Sequence, residues 1–393
     1  MKQLLKPVLH MATVAALCVA LAACGKDEPQ TPQNNTSSDA TDRQAAAIAA
    51  QFVDHTVAPT YSALAAKTEQ LADQLADLKA NPSQTALDEA CQTFLDARAE
   101  WEKSEAFLFG AAGDFGIDPH IDSWPFDESY FDALMASPSM IAKLDADNGD
   151  EEAYNTLSNS NLGFHSLEYI MFANGHPKEV SAISADEWIY AVAVAGDLRN
   201  NCYRLEVSWL GDAAPAAHIQ KLDDLEWSYT VGSGDQSYGD NMKHAGMLGS
   251  TYASRIAGLM AIASGCVDIA DEVGSSKINS AYAQGDETYI ESPYSQMSIT
   301  DFHNNIVSIQ NVYFGGVEGQ RDESLSLHSL VRSANADLDA RVVDAINAAL
   351  DAIDAMPHPF VNNIHAAENG TAVEACSALS ETLDEVVETL GKL

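Results

Sequence analysis

One apolar stretch carries two side chains that can do chemistry. Between Leu162 and Phe172 the polar side chains are His165, Ser166 and Glu168, apart from the Tyr169 hydroxyl. An imidazole and a carboxylate three residues apart project from one face of a helix. Burying them is costly unless each is paired or bound to a cation. Two readings follow: a hydrogen-bonded pair that orders the helix, or one nitrogen and one oxygen ligand for a metal, the logic of the carboxylate-plus-histidine helices in di-iron bundles.

Two ligands do not make a tight site, so further oxygen donors must come from elsewhere. Leu87, Cys91, Phe94, Arg98, Trp101, Glu105 and Leu108 recur at alternating spacings of four and three, which puts Arg98 and Glu105 on the apolar stripe of a helix. A carboxylate there is either paired with Arg98 or another base, or is a ligand on the inside of a bundle. Glu105 is the first candidate third ligand, followed by Asp122, then His120, Asp127 and Glu291. Trp124, Tyr294, Met171 and Phe172 are candidates to line a cleft for a chelate, haem or a polysaccharide, although aromatics at helical spacing equally make plain core. There is no CxxCH for covalent haem. Zinc peptidases usually carry HExxH or the inverted HxxEH; neither is present, and Tyr169 stands where the inverted form needs its second histidine. A zinc site assembled from scattered residues, with peptidase activity, stays open as an alternative.

The elements that must position these residues read as helices. A helix is expected from Thr41 to Leu78 with a kink at Pro59, and Asn81-Pro82 ends it before a second that starts near Ser83 or Thr85. Gly110 to Asp150 is a long connection whose aromatic and aspartate content argues for order. The His165 helix follows, then Asp186 to Leu210 with Ser184 as N-cap. Pro215 and Gly232-Ser233-Gly234-Asp235 mark a boundary between two domains, with no phosphate-loop motif in it. Beyond lie a long helix from Asn241 to Gly274, an irregular segment through Glu291-Ser292-Pro293-Tyr294-Ser295, and a short helix opened by Ser298 with Asp301 at capping-box spacing. Two more follow, Ser324 to Met356 and Thr371 to Leu390. No alternating strand pattern of useful length is visible. The fold class is all-α, two helical bundles packed together, with four helices apparent in each half: residues 42–225 and 226–393.

The N-terminus bears on location. Lys2 and Lys6 precede an apolar run from Met11 to Ala20, and Leu21-Ala22-Ala23-Cys24 resembles a bacterial lipobox. Residues 1–23 read as a signal peptide, Cys24 as the lipidated first residue of the mature chain, and 24–41 as a flexible tether. Removing residues 1–23 takes away two lysines and no acid, moving the formal charge from −38 to −40. So acidic a surface repels nucleic acid and favours cations in a general way. Cys91, Cys202, Cys266 and Cys376 remain, none in a CxxC pair, and either disulfides or buried thiols suit them.

These residues carry a family resemblance. Gly163-Phe164-His165-Ser166-Leu167-Glu168 resembles the GxHxxE motif of the imelysin family. Trp101-Glu102-Lys103-Ser104-Glu105-Ala106-Phe107 with Gly110, Ile121-Asp122-Ser123-Trp124-Pro125 and Glu291-Ser292-Pro293-Tyr294-Ser295 agree with it, in the right order. The resemblance implies a two-domain helical lipoprotein of a Gram-negative bacterium, lipid-anchored in a membrane and facing the periplasm or the cell surface. It further implies iron rather than zinc at the motif, a place near the interface of the two halves, and association with other iron-uptake proteins. Family members were first labelled metallopeptidases, and many are now regarded as binding proteins. The site residues expected are His165, Glu168, Glu105 and Asp122 for the metal, with Trp124, Glu291, Ser292 and Tyr294 at the cleft.

Overall fold

The structure, a computed structural model, describes residues 36–393. The expected signal peptide, Cys24 and most of the expected tether lie outside the described residues. The helix α1 spans Thr36–Phe52, so its first residues fall inside the stretch expected to be tether. A π-helical turn at Val53–Val57 joins it to α2, Ala58–Ala80, where Pro59 sits in the first turn. Proline cannot donate to the preceding turn, and the wide turn just before it absorbs the missing bond where a kink was expected. Next come α3 (Gln84–Glu102), capped by Ser83 through the amide of Ala86, and α4 (Gly163–Met171). Helix α5 (Ala185–Leu210) opens on a full capping box between Ser184 and Glu187. The connection from 111 to 156 is built of short helices, an ordered run as its composition suggested.

In the second half the expected helix from Asn241 to Gly274 is broken. A short helix at Tyr238–Lys243 is followed by a loop, and α6 starts only at Arg255 and ends at Glu272. Gly246 and Gly249 take positive φ, and the Asn241 side chain accepts from the amide of Thr251, so the backbone turns away where apolar spacing alone predicts continuity. Helix α7 (Ser298–Tyr313) is longer than expected, and the capping box is not formed: its cap residue is Met297, with no side-chain cap. The Ser324–Met356 helix is interrupted at Asn335, which caps α8 (Ala336–Asp354), and α9 runs Ala367–Leu390. Among the described residues the strands are a two-residue pair, Phe172–Ala173 with His176–Pro177. No described helix is long and apolar enough to cross a membrane. The all-α expectation holds.

Helices α2, α3 and α5 pack together in the first half, and α6, α7, α8 and α9 in the second. One continuous apolar core runs through both. The first helix crosses the expected boundary: α1 lies against α6 and the 238–243 helix, with Gln51 donating to the Gly315 carbonyl at 2.7 Å and Val317 to that of His55 at 2.8 Å. Helices α3 and α7 also meet across the halves, and the polar cluster lies at that meeting. All four described cysteines are buried and free, with burial pushing their thiols up.

Candidate metal centre

Glycine 163 explains how the centre assembles. Its φ is +68°, and a Cβ there would stand 1.8 Å from the Ile121 carbonyl oxygen. Only a residue without a side chain lets the 118–121 turn pass so close to the start of α4. That approach sets Asp122 beside His165, with Oδ1 at 3.1 Å from Nε2. Phe164, the next residue, stacks against Trp101 and holds α4 on α3.

His165 and Glu168 meet as their spacing requires, Nδ1 to Oε2 at 3.2 Å. The other oxygen of Glu168 is spent: it accepts from the amides of Tyr294 and Ser295 at 3.0 and 2.7 Å and from the Ser295 hydroxyl at 2.7 Å. Glu168 therefore fixes the imidazole and ties α4 to the 291–295 segment. The far nitrogen of His165, Nε2, is buried and faces Asp122 Oδ1 at 3.1 Å without the alignment of a hydrogen bond. Asp122, His165 and Glu291 each offer a ligand atom within 4.8 Å of the others, and Glu102, Glu105 and Asp122 form a second such group.

Arg98 stands at the middle. Its guanidinium contacts Asp122 and Glu102 closely, reaches Glu291 at 2.6 Å, and lies 3.6 Å from Asp301. Lys277 bonds to Glu291 at 3.0 Å and lies 3.8 Å from Glu102. The Trp101 indole donates to Asp122 at 2.7 Å, Asn305 to Glu102 and Ser292 to Asp301 at 2.5 Å each. Six carboxylates, Glu102, Glu105, Asp122, Glu168, Glu291 and Asp301, are thus buried with three bases, Arg98, Lys277 and His165. The imbalance appears in the protonation of the group. Burial pushes Glu102 and Glu105 well above the usual carboxylate range, and Asp301 up to about 7, despite Arg98 or Lys277 nearby. Asp118, close by, rises to about 6 by burial and the Asp122 charge. For Asp122 burial is overcome by Arg98 and by His165 beside it, which hold it well below that range. His165 loses to burial and gains more from Asp122 and Glu168, rising to about 9.

A cleft of about 250 Å³ opens onto this cluster, lined by Trp124, Phe126, His165, Ile290, Pro293 and Tyr294. Of the expected cleft residues, Trp124 and Tyr294 line it, while Glu291 and Ser292 are buried beneath. Met171 and Phe172 belong to the core, Phe172 against Phe94, because the C-terminal turn of α4 points away from the cleft. His120 pairs with Asp197 at 2.8 Å, and Asp127 caps the helix at Glu128–Met135; neither joins the cluster. Reading the stripe of α3 missed Glu102, one position off the stripe but four after Arg98. Lys277 and Asp301 were missed too. Lys277 sits among Ser275, Ser276, Asn279 and Ser280, with nothing local to mark it, and Asp301 was read as a cap.

Taken together, this is a helical protein whose two halves close on a buried, acid-rich ionic cluster beneath a small aromatic cleft. The chain matches the imelysin family over residues 57–386, and it belongs to that family. It is 26% identical over 343 residues to iron-regulated protein A of Synechococcus elongatus, covering 86% of this chain and 84% of that one. Among solved structures it is similar to an iron-regulated protein A precursor from Parabacteroides distasonis, with a TM-score of 0.76, 29% identity, and coverage of 89% of this chain and 95% of that one. An imelysin-like protein from Psychrobacter arcticum shares the fold at a TM-score of 0.63 and 14% identity, over 89% and 96% of the two chains.

Proposed function

We propose that this protein is an exported, lipid-anchored binder of a metal ion, iron in preference to zinc, taking part in iron uptake, and that Asp122, His165 and Glu291 hold the ion. The observation that carries the reading is the surplus of buried carboxylates over bases, together with two buried ligand atoms, Glu291 Oε2 with no hydrogen-bond partner and His165 Nε2 facing Asp122 without an aligned hydrogen bond. One imidazole nitrogen and two carboxylate oxygens suit a first-row divalent or ferric ion better than a soft one. Glu168 plays the outer part often seen at such sites, a carboxylate on the far nitrogen of the ligating histidine. Without metal the surplus charge is met by protons on the raised carboxyls and on His165. Binding therefore releases protons and strengthens as pH rises. Relatives named for iron regulation support iron as the cargo.

Calorimetric titration of the metal-free mature chain with ferrous, ferric-citrate and zinc ions tests this, run in two buffers of different ionisation enthalpy. Saturable heat with proton release, lost in Glu291→Gln and in His165→Ala, is expected. Equal weak heats for all metals in wild type and variants would return the cluster to a purely structural role. Cleavage of an unfolded protein by the zinc-loaded chain, abolished in His165→Ala, would favour a metallopeptidase instead. Saturable heat with haem or a polysaccharide alone would make the cleft a site for a non-metal ligand.

A further inference from the structure

Among the described residues, the large apolar side chains left exposed are Met247, Leu248 and the terminal Leu393. Leu248 is fully in solvent and Met247 half so, side by side at the tip of the loop that breaks the expected 241–274 helix. The loop is firmly built beneath them. Gly246 donates to the Tyr252 carbonyl at 3.0 Å, Met247 to that of His244 at 2.9 Å, Ser250 Oγ to that of Asn241 at 2.9 Å, and Asn241 Nδ2 to the Thr251 hydroxyl at 2.8 Å. A scaffold that holds two apolar side chains outward leaves their hydration cost uncompensated unless something covers them.

Two observations say what covers them. The first is place: Asp42 and Arg43 of α1 line the same surface depression as Gly246, Met247 and Arg255, and Arg255 donates to the Asp42 carbonyl at 3.1 Å. The tip thus lies beside the start of the described chain. Cys24 is twelve residues from Thr36, a reach of at most about 40 Å at full extension. The second is charge. In a chain with 58 acids among 393 residues, the run from Asn241 to Val267 has none and carries Lys243, His244 and Arg255, with Arg43 exposed nearby. Asp42 and Asp54 neighbour this face, the latter paired with Lys243 at 2.5 Å.

We propose that Met247 and Leu248 insert into the lipid bilayer that holds the N-terminal anchor, with Arg43, His244 and Arg255 at the level of the headgroups. This rests on the reading of Cys24 as lipidated. A shallow apolar tip with a basic rim is a surface contact, and together with a short tether it fixes how the body faces the membrane.

The test uses the full lipidated chain in vesicles of phosphatidylethanolamine and phosphatidylglycerol, with an environment-sensitive label on Leu248→Cys or, as control, on the exposed Asp147→Cys. The four native cysteines of the body are buried and do not compete for label. Emission at 248 is expected to shift to the blue and to be quenched by spin-labelled lipid about fivefold more than at 147. A shift at a label moved to the exposed Ala253→Cys that vanishes when Met247→Asp and Leu248→Asp are added would agree. Equal quenching at 248 and 147, in vesicles that carry acylated Cys24 by mass spectrometry, would overturn the proposal while leaving the lipoprotein reading intact. Absence of acyl on Cys24 would overturn both. A blue shift that depends on protein concentration and needs no vesicles would assign the tip to a second copy of the chain and so overturn the membrane contact.

Discussion

Two ionic networks in this molecule are built on opposite plans. In the first half, Asp150 is one carboxylate among excess donors: Arg199 at 3.2 Å, Lys221 and Asn200 at 2.9 Å, and the amide of Glu151 at 3.0 Å. Burial pushes Asp150 up, but Asn200 and Lys221 outweigh it and hold it below the usual range. Both oxygens are satisfied, and two cations face the one carboxylate. Between the halves, carboxylates exceed bases, several carboxyls are pushed up, and buried ligand atoms have no partner. A network with bases to spare locks helices. A network short of positive charge is stable only by holding protons or by taking in a cation, and that difference separates a brace from a binding site.

The comparison can be broken or sharpened by substitution. Arg98→Ala strands four carboxylates in the interior and should cost about 3–5 kcal/mol or more, with loss of the folded state in denaturant titrations. Arg98→Lys keeps the charge without the planar fork and should fall between. Gly163→Ala forces a side chain into a positive-φ position against the Ile121 carbonyl and should destabilise by about 3 kcal/mol or more, abolishing metal heats as Asp122 moves off. Asp150→Asn should cost about 1–3 kcal/mol and leave metal titrations unchanged. Glu291→Gln should do the reverse, removing the metal heats while the melting temperature stays within a few degrees, since it relieves surplus charge. If Glu291→Gln destabilises as much as Arg98→Ala, the two networks are alike and the distinction collapses.

Acidity should separate the two networks by sign. Asp301 titrates near 7 and Asp118 near 6 in the folded chain, against 3.8 ordinarily, so from about pH 4 to 7 the native state holds protons that the unfolded chain has released. Stability from these groups falls as pH rises through that window. His165, raised to about 9, adds stability below its ordinary 6.5 that is lost as pH climbs through 9. Asp150, being lowered, contributes stability above its ordinary value and loses it as pH falls. Melting curves of the metal-free chain should therefore decline from about pH 5 to 9, and Asp150→Asn should not alter that decline. Smallest of all, Ser184→Ala removes the cap of α5 and should cost about 1 kcal/mol with metal heats intact.

Local signals in the sequence carried most of the helices. Ser184 caps where side-chain chemistry said it would, the second helix starts just after Ser83 within the expected range, and the stripe from Leu87 to Glu105 is buried because periodicity reports burial directly. The breaks at 244–254 and at Asn335 carried local signals, Gly246, Gly249 and the Ser254 cap in the one and the Asn335 cap in the other, which a reading by apolar spacing alone passes over. Within the site, His165, Glu168, Asp122 and Glu291 were legible as polar residues in apolar or irregular surroundings. Their division of labour was not. Glu168 is turned toward the backbone of Tyr294 and Ser295, a contact 126 and 127 residues away in sequence. Asp301 has the spacing of a cap, but its oxygen goes to Ser292 while Ser298 donates to the Glu291 carbonyl, so a local motif was claimed by a long-range network.

The crossing of α1 has a consequence for how the chain is made. A polypeptide emerging from its N-terminus presents α1 about 200 residues before α6, the surface on which it comes to rest. Until then the face of α1 that meets α6 lacks its final cover, while Phe52 can already pack on Phe107, Phe109 and Trp209 of the first half. The edge that the first helix opens is closed only once the chain has passed residue 272, with α7, α8 and α9 still to come.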